Sequence, residues 1–83
     1  MTQFILYSRS YCHLCDDMLQ ALQPYQQRHG FGVEVRDVDQ DPALLAQYDE
    51  LVPVLVAQKP SQAAQEICHY FLDAAKLEAF LHG

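Results

Sequence analysis

Basic residues are scarce in this chain. Five Lys and Arg stand against eleven Asp and Glu, a formal charge of −6 over 83 residues. A surface of that sign repels phosphate backbones and anionic lipid, so neither nucleic acid nor a membrane is expected as a partner. Glycine is sparse too. With three Gly, four Pro and 51% apolar residues, collagen-like, low-complexity and disordered chains are excluded. Long hydrophobic runs are missing as well. The early run over residues 4–7 stops at Ser8 and Arg9, too short for a signal-peptide core or a membrane span. A cytoplasmic address is therefore expected. Nor is there chain enough for two cores. A single domain over residues 1–83 is expected, working as a monomer and burying about 60–65% of its unfolded surface.

Cysteine is present, but not as a scaffold. Three residues cannot pair evenly, and a secreted mini-protein uses more. Two of them form Cys12-His13-Leu14-Cys15, and Cys68 lies far downstream. In a reducing compartment an isolated Cys-x-x-Cys is a dithiol–disulfide pair or half of a metal site. A zinc site wants four ligands, and there is no second Cys-x-x-Cys. Cys68 and His69 would point to opposite faces of a strand, so no metal site is expected. Cys68 reads as a small buried hydrophobe.

The apolar pattern gives the setting of the pair. Residues 2–7 are short, apolar and β-rich, as a central strand should be. From Cys12 to about His29, Leu14, Met18, Leu22 and Tyr25 recur at helical spacing, with Pro24 as a kink and Gly30 and Gly32 as the stop. Residues 32–36 alternate like a half-buried strand that Val38 extends. Asp41-Pro42 opens a short helix carrying Leu44, Leu45 and Tyr48. Residues 54–57 and 66–70 read as a hairpin around an exposed turn with Pro60 and Ser61, and Asp73 caps a last helix. The order βαβαββα predicts an α/β fold: a four-stranded mixed sheet, helices on both faces, with strand–helix–strand units giving parallel neighbours. The Cys pair then falls where the first strand meets the first helix, at the carboxyl ends of strands where open sheets bind ligands.

That position matters chemically. Only a thiolate attacks a disulfide, and a Cys of pKa about 8.5 is roughly 3% ionised at pH 7. A helix N-terminus offers Cys12 unpaired N–H groups and a positive dipole end. Arg9 and a protonated His13 would add to this; Asp16 and Asp17 would oppose it if they faced the sulfur. Cys15, one turn further in, is expected to be less exposed and less acidic.

Tyr7-Ser8-Arg9-Ser10-Tyr11-Cys12-His13-Leu14-Cys15, Val35-Arg36-Asp37-Val38-Asp39 and Val52-Pro53-Val54-Leu55 resemble the glutaredoxins, and more narrowly the short glutaredoxin-like domains of the thioredoxin-fold superfamily. The resemblance covers essentially the whole chain. It implies a thioredoxin-like fold, Cys12 as nucleophile, Cys15 as the resolving thiol and a cis bond before Pro53. Composition alone would read Pro53 as an ordinary trans proline at a strand start. A cis bond would turn the Val52 backbone toward Cys12 as a ledge for strand-like pairing with a substrate. Tyr11 either packs over the disulfide or covers the loop. Asp37 is either a buried proton acceptor or a strand-end carboxylate, and Asp73 either meets the ammonium of glutathione or caps the helix.

Two departures stand out. His13 and Leu14 occupy the positions where glutaredoxins carry Pro-Tyr, and Tyr70-Phe71-Leu72-Asp73 replaces the Gly-Gly segment that lets glutathione approach the backbone. The resemblance thus implies a thiol–disulfide oxidoreductase with no bound cofactor. A protein disulfide or glutathione is its partner, with glutathione or a thiol reductase system restoring the dithiol. The contrasting expectation is a metal or iron–sulfur carrier on the same fold.

Overall fold

The computed structural model describes residues 3–9, 12–59 and 63–82. Its elements are strands β1 (Gln3–Ser8), β2 (Gly32–Asp37), β3 (Val54–Gln58) and β4 (Gln65–His69), and helices α1 (His13–His29), α2 (Pro42–Tyr48) and α3 (Ala74–His82). The strands lie in the order β2-β1-β3-β4. β1 and β2 are parallel, whereas β3 is antiparallel to both β1 and β4.

One expectation is corrected here. The second strand–helix–strand unit does not give parallel neighbours, because β3 runs against β1. The reason is length. A parallel return must retrace about 20 Å of a six-residue strand, and the seven-residue α2 rises only about 10 Å. The chain therefore re-enters the sheet at the end where it left. Val38 likewise does not prolong β2. The Asp37 carboxylate accepts the Asp39 N–H at 2.9 Å and starts a 3-10 turn, Val38–Gln40, that drops Val38 into the core.

Helices cover both faces. On one, Met18 and Leu22 of α1 and Leu77 of α3 pack on Phe4, Leu6, Leu55 and Ala57, with Phe31 and Phe80 against Phe4 at ring-centroid distances of 4.5 and 5.8 Å. On the other, Leu44, Leu45 and Tyr48 of α2 cover Ile5, Tyr7, Val54 and Val56. Alternation of inward residues along β1 and β3 serves the two layers in turn. β2 is an edge strand, and its Val35 is 51% exposed rather than half-buried.

The ends of the helices follow local chemistry. The left-handed Gly30, at φ 72°, stops α1 and donates its N–H to the Gln26 carbonyl at 2.8 Å. α1 continues through Pro24. The Asp41 side chain caps α2 through the Ala43 N–H at 2.9 Å, and Asp73 caps α3 through the Lys76 N–H at 3.1 Å. The hairpin of β3 and β4 carries a bulge at Leu55/Val56 that leaves Ile67 without a partner, so Ile67 and Cys68 both turn into the α1/α3 layer. Pro60 and Ser61 of the expected turn lie outside the described residues.

Candidate active site

The helix expected to begin at Cys12 begins one residue later, and this places the sulfur. Cys12 is the N-cap of α1, with extended backbone (φ −102°, ψ 107°). Its Sγ accepts the Cys15 N–H at 3.2 Å, and its carbonyl accepts the Asp16 N–H at 3.3 Å. An N-cap atom accepts from the otherwise unpaired amides of the first turn, so the helix supplies a donor wherever charge develops on this sulfur. Cys12 and Cys15 are joined as a disulfide with Cα atoms 5.3 Å apart. Cys12 is half-buried, whereas Cys15 is buried, at 5% exposure. A partner thus reaches the first sulfur before the second.

The bond between Val52 and Pro53 is cis. Tyr7 pairs with Val54 across β1 and β3, which sets Pro53 at the same sheet end as the redox pair. Pro53 is buried, and its carbonyl accepts the Tyr70 N–H at 2.9 Å. Of the Val52 backbone groups expected to face a substrate, the N–H is already engaged. It donates to the Tyr48 carbonyl at 3.2 Å, because α2 ends just upstream and its last carbonyls need donors. Below it, the Tyr48 ring stacks on Tyr7 at 4.6 Å, and burial pushes the Tyr48 phenol up from its ordinary pKa.

Arg9 is held away from a simple role as a free positive charge. Its guanidinium bonds Asp39 Oδ1 at 3.1 Å and Asp49 Oδ1 at 2.7 Å. The hydrogen bond and charge of Asp39 raise its already high pKa. Asp37 sits half-buried at the strand end, where its carboxylate caps the following turn. Asp73 commits an oxygen to the Lys76 amide. Tyr11 lies outside the described residues.

Sequence reasoning missed Asp39 and Asp49 as partners of Arg9, 30 and 40 residues away. It also missed the part played by Tyr70, the one described non-glycine residue with positive φ, at 65°. The Tyr70 hydroxyl donates to the Glu50 carbonyl at 2.7 Å, and the Phe71 N–H closes a tight turn onto the His69 carbonyl at 2.7 Å. Phe71 projects outward, 69% exposed. A groove of about 230 Å³ runs between Leu14, Asp17, Met18 and Ala21 on α1 and residues 70–72.

Cys68 stands apart. It is buried, and that burial pushes its thiol pKa up, partly offset by the backbone of Asp73. Among the described residues no three His, Cys, Asp or Glu side chains converge as a metal site would require.

The model of the family described as "Glutaredoxin-like domain (DUF836)" matches residues 3–82. The chain belongs to that family. No curated protein sequence matches this chain significantly. Among solved structures it is similar to protein Ne2328 of Nitrosomonas europaea, with 35% identity and a TM-score of 0.85 over 95% of this chain and 89% of that one. It is also similar to XcR50 of X. campestris, with 35% identity and a TM-score of 0.64 over 95% of each chain. Mitochondrial thioredoxin 3 of Saccharomyces cerevisiae, at 20% identity, has a TM-score of 0.73 over 98% of this chain and 76% of that one, a likeness of fold. The mixed sheet of the glutaredoxin-like domain is thus the thioredoxin fold, with a Cys pair at the start of its first helix. No helix among the described residues is long and apolar enough to cross a membrane.

Proposed function

We propose that this glutaredoxin-like domain is a small thiol–disulfide oxidoreductase working in the cytoplasm. The observation that carries the reading is the Cys15 N–H held 3.2 Å from Cys12 Sγ at the capped start of α1, with Cys15 buried behind it. In the dithiol form that donor and the helix dipole favour a thiolate on Cys12. The Cys12 thiolate attacks one sulfur of a substrate disulfide; a bond forms between them and the other substrate sulfur leaves as a thiolate that takes up a proton. Cys15 then loses its proton and attacks Cys12 Sγ, releasing the second substrate thiol. Two electrons pass from the dithiol to the substrate, and the Cys12–Cys15 disulfide remains. No bound cofactor enters either step. Glutathione or a thiol reductase returns the electron pair.

The test is reduction of hydroxyethyl disulfide and of a protein disulfide by the dithiol protein, followed by thiol release. Turnover that vanishes in Cys12→Ser supports the reading. An inert wild-type dithiol, or turnover that survives Cys12→Ser, overturns it.

A further inference from the structure

Charge is unevenly spread along the sheet. β1 and β4 finish, and β3 starts, at the end that carries the Cys pair. Eight of the eleven carboxylates follow it there: Asp16 and Asp17 on α1, three within residues 37–41, Asp49 and Glu50 before Pro53, and Asp73 before α3. The cations do not balance them. Arg28 and Lys59 stand at the opposite end, Arg36 is bonded to Glu34, and Arg9 is bound to two carboxylates. Lys76 is left in the first turn of α3. A partner approaching Cys12 therefore meets a negative field, which slows anions and draws cations.

The same end has an apolar entrance. The groove between α1 and residues 70–72 starts at Leu14, which lies between the two cysteines. Its volume of about 230 Å³ falls short of the roughly 300 Å³ at which small-molecule pockets usually begin, so it suits one bulky side chain. Its outer wall, Phe71, is held out by its neighbour. Tyr70 accepts a left-handed backbone and is fastened at both ends, N–H to Pro53 and hydroxyl to Glu50. The wall is thus preorganised at a cost in backbone strain.

We infer that the substrate is a disulfide in a polypeptide whose reacting cysteine has an apolar side chain and Lys or Arg beside it, and that anionic glutathione is a poor substrate. The apolar side chain fills the groove against Phe71 and Leu14, while the cations meet the acidic rim. This rests on the oxidoreductase reading and adds the substrate class to it.

Four disulfides separate the two claims: hydroxyethyl disulfide, oxidised glutathione, a mixed-disulfide peptide with Leu and two Lys beside its Cys, and the same peptide with Glu for Lys. Rates are measured with the reduced full chain at about 20 mM and about 300 mM salt. The basic peptide should react at least about ten-fold faster than the acidic one at low salt, with the gap shrinking several-fold at high salt. Phe71→Ser should lower the ratio of the basic-peptide rate to the hydroxyethyl disulfide rate by about five-fold. Equal, salt-insensitive peptide rates, or oxidised glutathione outrunning the basic peptide, overturn the inference while leaving the oxidoreductase reading standing. Failure to reduce even hydroxyethyl disulfide overturns both.

Discussion

The amide of Tyr70 and the carbonyl of Pro53 are joined at 2.9 Å, and this bond ties the segment leading into α3 to the cis-proline loop. It holds residues 49–53 and residues 70–73 together at the sheet end that carries the Cys pair. The Tyr70 hydroxyl on Glu50 repeats the tie 20 residues from its partner.

Tyr70 gives an inverted substitution order. At φ 65° a side chain is strained and glycine is not. Tyr70→Gly should be more stable than Tyr70→Ala by about 1 kcal/mol. Tyr70→Phe, which keeps the ring and loses the bond to Glu50, should cost about 0.5–1.5 kcal/mol. Urea unfolding of the three variants checks this; Ala at or above Gly would mean that the left-handed geometry is wrong.

The two active-site sulfurs should separate by trapping. Cys15→Ser should form a stable mixed disulfide on Cys12, while Cys12→Ser should form none, because the remaining thiols of Cys15 and Cys68 are both buried. Intact-mass spectrometry after mixing with a disulfide peptide reads the adduct. An adduct on Cys15 alone would reverse the roles.

Cys68 should be silent in turnover and audible in pH. Its thiol is raised, so the native state favours the protonated form. The stability this brings is fully present below the ordinary thiol pKa and is lost as pH rises through the raised value. Cys68→Ala should keep its rate on hydroxyethyl disulfide and show a shallower fall in stability between about pH 8 and 10 than the parent. Loss of turnover with the fold intact would make Cys68 part of the reaction.

Arg9 should matter through its two acids. Without the guanidinium, the carboxylates of Asp39 and Asp49 lose their shared partner. Arg9→Gln should lower the melting temperature at low salt, with the deficit narrowing at high salt. A deficit indifferent to salt would assign Arg9 to packing instead.

Leu77 is wholly buried between α3 and the sheet. Leu77→Ala should cost about 2–5 kcal/mol, a fall in melting temperature of roughly 10 °C or more for a domain of this size. Denaturant and thermal melts should agree on this.

Local signals carried most of the fold. Asp41 and Asp73 cap helices because a short side-chain oxygen next to a free amide is a neighbour-range effect, readable from adjacent residues. The apolar stripe of Met18 and Leu22 was equally plain. What escaped was set at a distance. The direction of β3 depends on how far α2 reaches, whereas Val38 is a local exception that leaves its strand because Asp37 bonds an amide two residues on. The partners of Arg9 lie on other elements altogether. The site was legible in its cysteines and, through the family resemblance, in its cis proline. The engaged Val52 amide and the left-handed Tyr70 leave no mark in composition or periodicity.

The bulge opposite Leu55 and Val56 bears on the electron capacity of the molecule. By turning Cys68 inward beside Ile67, it walls off the one sulfur that could scramble with the other two. Attack on a disulfide needs an accessible thiolate, and Cys68 offers neither access nor charge. Each molecule then stores one electron pair and no more, and its titration against a thiol buffer should be a single two-electron wave. Over-oxidation, where it occurs, falls first on Cys12, the sulfur that a disulfide bond to Cys15 can shelter.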